Sequence, residues 1–250
     1  MKCEWSRKGI ASDSFEWWKM AKYLKEFDLY DETDPTRDLK VQQRLTTESR
    51  CVLANFEKQF SKFKYRNSQN AWKIGVNVVK SITRQNPIVI GGCIEVQIVF
   101  DLEHYFDAKN FDKKKMILEM LWNGILVSVE AFKWGISPFE DAKKAVIESN
   151  YTYHWSWKKP KPSPSKHYKA EIFCEHEIEC FGIYLVIRGP NNSILKKIHL
   201  IDEEPSEFVF AKYFGSLEWI SDDSVVFASK DESIGWTYNT KKDFLKKCCR

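Results

Sequence analysis

Hydrophobic and polar residues follow a helical period over much of the first sixty positions. Apolar residues recur at mixed three- and four-residue spacings over residues 15–27, and again over residues 39–63 after the break at Asp34-Pro35. Such spacing gathers apolar side chains on one face of a helix. The pattern therefore predicts a first helix capped by Ser12 or Asp13, followed by one long helix or two shorter ones.

The clearest helical pattern covers residues 112–134 and is expected to end at Gly135. Its apolar residues cover a broad face, as in a helix at the centre of a core; they are Ile117, Leu118, Leu121, Trp122, Ile125, Leu126, Val129 and Phe132. The next four residues, Ser137-Pro138-Phe139-Glu140, predict a capping box that opens another short helix.

Between these helices the period changes to two. Apolar and polar residues alternate from Trp72 to Val78 and from Ile94 to Phe100, which indicates two half-buried strands. Asparagine, proline and two glycines lie in the connection, residues 85–92. We expect the two strands to pair antiparallel across this turn-rich segment.

From Tyr151 onward the chain is β in character. Aromatic residues alternate with polar ones from Tyr151 to Trp157, and the segment Lys158–Lys166 then carries three prolines and no apolar residue. This segment predicts a linker or exposed loop. Short apolar runs separated by turns follow, which is typical of an antiparallel meander or small sandwich. A basic helix from Lys241 is expected to close the chain.

These patterns predict an α+β protein in which an α-rich N-terminal part with a two-stranded antiparallel piece precedes a C-terminal antiparallel β-sheet or small sandwich. The expected divisions are a helical part with an inserted β-hairpin, a Pro/Lys linker or loop, and an antiparallel β region with a short C-terminal helix. Their bounds are residues 1–157, 158–166 and 167–250.

Composition narrows the class of protein. The chain has 250 residues, of which 43% are hydrophobic and 30% charged, so we expect it to fold. Its formal charge of +4 is spread over 39 basic and 35 acidic residues without a long basic block, which argues against nucleic-acid binding. Neither a signal peptide nor an uninterrupted membrane span is recognisable. Seven scattered cysteines without a CxxC pair favour a reducing, cytoplasmic location.

The most metal-like spacing is that of Cys174, His176 and Cys180. On one continuous strand these side chains would share a face, and thiolates and imidazole are zinc ligands. A fourth ligand is missing, and the charged residues between the cysteines fit a hairpin tip equally well. We therefore predict that the protein holds no metal and no other cofactor.

An alternative hypothesis is that the protein is an enzyme whose catalytic residues are Glu95, Asp101 and His104. Acidic groups on and after a strand resemble the magnesium ligands of metal-dependent nucleases. A lysine two residues after the glutamate is expected there, and Gln97 stands in its place. Glu95 and Gln97 fit the solvated face of an amphipathic strand better. Since no nucleophile elbow or phosphate-binding loop is present either, we expect a protein without catalytic activity.

Aromatic and acidic residues in the second half of the chain are the candidates for a binding surface. The alternating rings offer rigid contact area, and an acidic turn could steer a basic partner. The same rings also fit one wall of the core. The named candidates are Tyr153, Trp155, Trp157, Asp202, Glu203 and Glu204.

The sequence thus favours a protein that binds another protein. Immunity proteins, which bacteria use to neutralise a toxin by stoichiometric binding, are one such class, and the partner would then be a cognate toxin. A metal-dependent nuclease or other hydrolase, and a regulatory or structural adaptor, are the alternatives. The acidic turn and the aromatic strand favour a binding role over the enzyme alternative, whereas the sequence does not distinguish an immunity protein from an adaptor.

Overall fold

The computed structural model describes residues 23–34, 36 and 38–249, and it confirms the α+β class. Five α-helices and twelve strands follow one another in these residues. The helices are α1 (Leu39–Phe60), α2 (Leu102–Asp107), α3 (Asn110–Phe132), α4 (Ser137–Glu148) and α5 (Glu207–Phe210). The expected cap at Ser12 or Asp13, and most of the helix it would open, lie outside the described residues.

The first seven strands are β1 (Glu26–Asp31), β2 (Lys73–Val79), β3 (Ile88–Ile90), β4 (Cys93–Val99), β5 (Tyr153–Pro162), β6 (Lys169–His176) and β7 (Phe181–Arg188). The remaining five are β8 (Ile194–Glu203), β9 (Ser216–Trp219), β10 (Ser224–Ala228), β11 (Ile234–Asn239) and β12 (Phe244–Cys249). They form three four-stranded sheets, whose orders are β1-β2-β4-β3, β5-β6-β7-β8 and β12-β11-β10-β9.

Strand β1 replaces the end of the predicted first helix. Phe27, Leu29 and Asp31 are buried on it, whereas the residues between them are only partly covered. This alternation has a period of two, and pairing with β2 satisfies one edge of the strand. The helical prediction for residues 23–27 was therefore wrong. The second predicted helix is correct, because α1 runs unbroken from Leu39 to Phe60.

The first sheet differs from the predicted hairpin. Strands β1, β2 and β4 are parallel, and only the short β3 pairs antiparallel with β4. The prediction that the strands around Val76 and Val96 pair antiparallel was wrong, because the connection between them is long enough to hold β3 and return the chain in the same direction. Helices α1 and α3 pack on one face of this sheet and enclose the first core.

Helix α3 lies within two residues of its predicted bounds, but the predicted capping box at Ser137 is wrong. The N-cap of α4 is Ile136, and no side chain caps this end. Because the helix begins one residue earlier than the box requires, Ser137 stands inside the first turn, where its hydroxyl is no longer at the cap position. Pro138 still occupies the first turn, as predicted.

The C-terminal part consists of two antiparallel sheets around a second core. Two predictions fail in this part. Residues 158–162 continue β5 instead of forming a linker, because β5 is an edge strand with a register shift between Trp157 and Lys161, where prolines are tolerated. The predicted C-terminal helix is β12, whose Leu245 packs against the second core while the strand pairs with β11.

Side chains from both parts hold the two cores together. Ile178, at the tip of the β6–β7 hairpin, is buried in the first core. The neighbouring Glu177 accepts a hydrogen bond of 2.5 Å from the Lys114 ammonium on α3. Asn55 of α1 donates to the Thr152 carbonyl at 3.1 Å. The division into separate domains stays a prediction.

Candidate functional site

The proposed nuclease residues have separate surroundings. Glu95 lies within β4, with its carboxylate over the backbone of Gly75, where an added Cβ would lie only 2.6 Å from Oε2. Asp101 caps α2 and accepts a hydrogen bond of 3.0 Å from the His104 backbone amide. Burial raises the pKa of Glu95. Glu95 thus packs on a glycine in the sheet, and Asp101 has a local structural role.

The three candidate zinc ligands also differ in position and burial. Cys174 and His176 are buried on one face of β6, whereas Cys180 is only partly buried in the turn before β7. Across the hairpin, Cys174 is in register with Ile183 and His176 with Phe181, so the two cysteines do not face each other. Burial raises the pKa of the Cys174 thiol to about 12. In the part of the chain that the structure describes, no three His, Cys, Asp or Glu side chains are grouped to hold a metal.

The two tryptophans of β5 pack against the second core. Trp155 lies 5.4 Å from Phe181, and Trp157 lies 5.4 Å from Phe214 and 6.0 Å from Phe227 between ring centroids. Tyr153 is half-buried, and the ammonium of Lys58 lies 5.4 Å from its ring. These positions match the alternative in which the rings form a wall of the core.

The candidate acidic residues 202–204 span the end of β8 and the start of the turn after it, since Asp202 and Glu203 pair with β7 and only Glu204 follows the strand. Asp202 is exposed, and its Oδ1 lies 2.9 Å from Nε2 of His199. Glu203 accepts a hydrogen bond from the Tyr213 hydroxyl. Glu204 is exposed to solvent. The turn leads directly into α5, which starts at Glu207 and carries the feature that sequence reasoning missed.

That feature is Phe208, which is 98% exposed and the most exposed of the large hydrophobic side chains that the structure describes. Phe210, two residues later, is buried against Phe181, with ring centroids 3.6 Å apart. The sequence shows an apolar run, Phe208-Val209-Phe210. This pattern alone does not indicate which of the two phenylalanine rings is exposed to solvent. Because Phe210 is buried in the second core, the Phe208 side chain points into solvent.

Phe208 stands at the rim of a cleft of about 610 Å³. We call it the Arg50 cleft, and its lining residues are Glu26, Asp28, Thr46, Thr47, Arg50, Glu57, Lys73, Ser206, Glu207 and Phe208. Four of these residues are acidic and two are basic. The lining is therefore negatively charged overall, although the whole chain carries a formal charge of +4.

Arg50 connects the walls of this cleft. Its guanidinium contacts Glu207 of α5 at 2.7 Å, Glu57 of its own helix at 3.1 Å and Asp28 of β1 at 3.2 Å. Burial disfavours the charged guanidinium, but the nearby carboxylates of Glu57 and Glu207 outweigh burial and raise the pKa of Arg50. Arg50 thus remains a cation and holds α5 against the N-terminal part.

The floor of the cleft is the free edge of β1. The Phe27 amide donates to Glu57 at 2.9 Å, the Phe27 carbonyl accepts from Arg50 at 3.2 Å, and the Leu29 carbonyl accepts from the Thr46 hydroxyl at 2.8 Å. Side chains of α1 therefore satisfy backbone groups that an edge strand would otherwise expose. The polar groups in the floor serve the fold, whereas the Phe208 ring is exposed to solvent.

Comparison of the chain with protein-family models, with curated proteins and with solved structures found no match. Within the described residues, no helix combines the length and the apolar character needed to cross a bilayer.

Proposed function

We propose that this chain binds another protein stoichiometrically through the rim of the Arg50 cleft, where Phe208 lies beside Glu207. The observation that carries the proposal is the nearly complete exposure of Phe208 beside a concave, acidic surface. We call Phe208, Glu207 and Glu26 of the cleft lining, together with the exposed Glu204 three residues before α5, the Phe208 rim.

Phe208 supplies affinity in this proposal. Moving an exposed phenylalanine side chain into an apolar pocket yields about 2 kcal/mol. The free protein gains nothing from the ring's present position, since Phe210 and not Phe208 packs into the core. Binding hot spots are commonly large side chains that enter a pocket on the partner. Phe208 is suited to that role because α5 fixes its backbone.

The carboxylates supply charge complementarity. Glu204 is exposed, and the Glu207 side chain is 42% exposed although it contacts Arg50. Exposed charges at the border of an interface accelerate association with a partner of opposite charge. The fitting partner is a protein with a basic surface around an apolar pocket.

Toxin neutralisation is the form of this function that we favour. An immunity protein binds its toxin tightly and needs no catalytic group, and the toxin would be the basic partner. The cysteines whose side chains the structure describes are free thiols, which fits a cytoplasmic protein. An adaptor would use the same rim, so the identity of the partner distinguishes the two roles.

The test is a binding measurement with the product of the adjacent reading frame. Both proteins are purified, their complex is detected by size-exclusion chromatography, and its affinity is measured by calorimetry. Phe208→Ala should weaken the complex at least tenfold. Phe244→Ala is the matched control, because Phe244 is 57% exposed but lies on β12, and it should leave the affinity unchanged.

Two results would overturn the proposal. One is the absence of a complex at micromolar concentrations of both proteins. The other is a complex that Phe208→Ala and Phe244→Ala weaken to the same extent, since the Phe208 rim would then have no special part in it.

A further inference from the structure

A buried histidine lies beneath the segment that presents the Phe208 rim. His176, at the end of β6, is only 1% exposed. Its Nε2 lies 3.2 Å from the Pro205 carbonyl oxygen, and its ring centroid lies 5.6 Å from that of Phe210. His176 therefore contacts both ends of the segment 205–210, which carries Glu207 and Phe208 between them.

The hydrogen bond to Pro205 fixes the tautomer of the ring. A carbonyl oxygen only accepts, so Nε2 carries the proton and donates it. Nδ1 is then a bare acceptor, and it is buried without a hydrogen-bond partner among the described residues. A second proton on Nδ1 would create a buried N–H that faces no acceptor.

The surroundings also oppose a positive charge on His176. The Phe181 ring lies 5.4 Å away and the Tyr153 ring 6.1 Å away. Burial is the largest effect and lowers the pKa of His176 to about 4. Glu207 and the hydrogen bond to the Pro205 carbonyl oppose this shift, while Arg50 and Lys114 add to it. The ring is thus held neutral where a solvated histidine would be charged.

We propose that His176 is an acid-sensitive latch for the segment 205–210: the neutral ring holds Pro205 and Phe210, and protonation releases the segment together with Glu207 and Phe208. As a way to regulate partner binding, the latch rests on the proposed function of the Phe208 rim. As a structural device, it depends only on His176 and its contacts.

The direction of the pH effect follows from linkage. In the released segment the ring meets water and regains a pKa near its ordinary value of 6.5, whereas in the docked segment the pKa is about 4. The released form therefore binds the proton more readily between these values. Docking is fully favoured above about pH 6.5 and weakens as the pH falls, by up to about tenfold per pH unit.

Hydrogen exchange of the full chain tests the latch without any partner. Exchange of the backbone amides of residues 206–210 is compared with that of β1 from pH 7 to pH 4, after correction for the intrinsic rate. Exchange in the segment should accelerate at least tenfold relative to β1 as the pH falls from 6.5 to 4.5. An NMR titration of the His176 ring should show no protonation of the docked state above pH 5.

Two variants isolate the histidine from the carboxylates that also titrate in acid. His176→Gln keeps a side-chain donor for the Pro205 carbonyl but does not titrate, so its segment should exchange independently of pH. His154→Gln is the control, because His154 is exposed on the neighbouring β5, and it should behave like the unchanged protein.

The latch is wrong if His176→Gln retains the acid-induced opening, or if the ring of the unchanged protein titrates near pH 6.5 while the segment stays protected. These outcomes are separate from the failure of the proposed function. A Phe208→Ala variant with unaltered partner affinity would overturn the binding proposal and leave the exchange result intact.

Discussion

Arg50 on α1 and Glu207 on α5 form a charge-assisted contact of 2.7 Å, although 157 residues separate them in the chain. The contact ties the short helix that presents Phe208 to the N-terminal part. Because Arg50 also contacts Glu57 and the Phe27 carbonyl, one side chain both covers the edge of β1 and positions α5. The edge of the first sheet and the candidate binding surface are thus physically connected.

Replacement of Arg50 should therefore lower the free energy of unfolding substantially. In Arg50→Gln, the largely buried Glu57 carboxylate loses its cation, and a change of this kind destabilises a protein by about 3 kcal/mol. The free energy of unfolding is measured by denaturant titration. Arg66→Gln is the control, since Arg66 is exposed, and its effect should stay within about 0.5 kcal/mol. Equal effects of the two substitutions would show that the Arg50 contacts do not stabilise the fold.

Helix caps provide a second comparison. Asp101 caps α2 through the His104 amide, whereas Ser137 makes no capping bond to α4. We expect Asp101→Ala to lower the free energy of unfolding by about 1 kcal/mol and Ser137→Ala to have little effect. Thermal or denaturant unfolding of the two variants measures the difference. The reverse order would restore the capping box that the sequence predicted.

Helix α3 allows a test of where the first core lies. Leu121 is fully buried, while the neighbouring Trp122 is only partly buried, with the Lys143 ammonium 4.1 Å from its ring. Leu121→Ala should lower the free energy of unfolding by about 2 to 5 kcal/mol, because it leaves a cavity in the core. Trp122→Ala should lower it less, although the side chain removed is larger. Unfolding experiments compare them. A larger loss for Trp122→Ala would place the tryptophan at the centre of the core.

Sequence reasoning succeeded where a signal repeats along one element. The three- and four-residue spacing around Leu121 predicted α3 to within two residues, and short apolar runs separated by turns predicted the C-terminal sheets. It failed where the outcome depends on a distant partner. The run around Phe27 is compatible with either period until β2 supplies a hydrogen-bonding neighbour, and strand direction depends on where β3 pairs.

The candidate site was predictable only in part. The acidic segment containing Glu204 was singled out from its composition, and the chain runs from it into α5, which carries Phe208. For Trp155 and Trp157 the sequence left two interpretations, a binding surface and a wall of the core, and both rings pack against the second core. Exposure of Phe208 follows from the packing of Phe210 on Phe181, and that packing joins elements far apart in the sequence. A local pattern carries no such information.

The last prediction separates the roles of charge, exposed ring and core ring in partner binding. Glu204→Lys should slow association and weaken its dependence on salt, with little change in the dissociation rate, because Glu204 is an exposed charge at the rim. Phe208→Ala should mainly accelerate dissociation, since the ring would fill a pocket on the partner. Glu140→Lys, on the exposed face of α4, is the charge control and should alter neither rate.

Trp155→Ala should behave differently from both rim variants. Removing a ring that packs on Phe181 should lower the free energy of unfolding by about 3 kcal/mol, whereas Phe208→Ala should leave stability within about 0.5 kcal/mol of the unchanged protein. Surface plasmon resonance and denaturant unfolding measure the two properties separately. If Trp155→Ala instead accelerates dissociation without loss of stability, the interface lies on β5, and the Phe208 rim is not the binding surface.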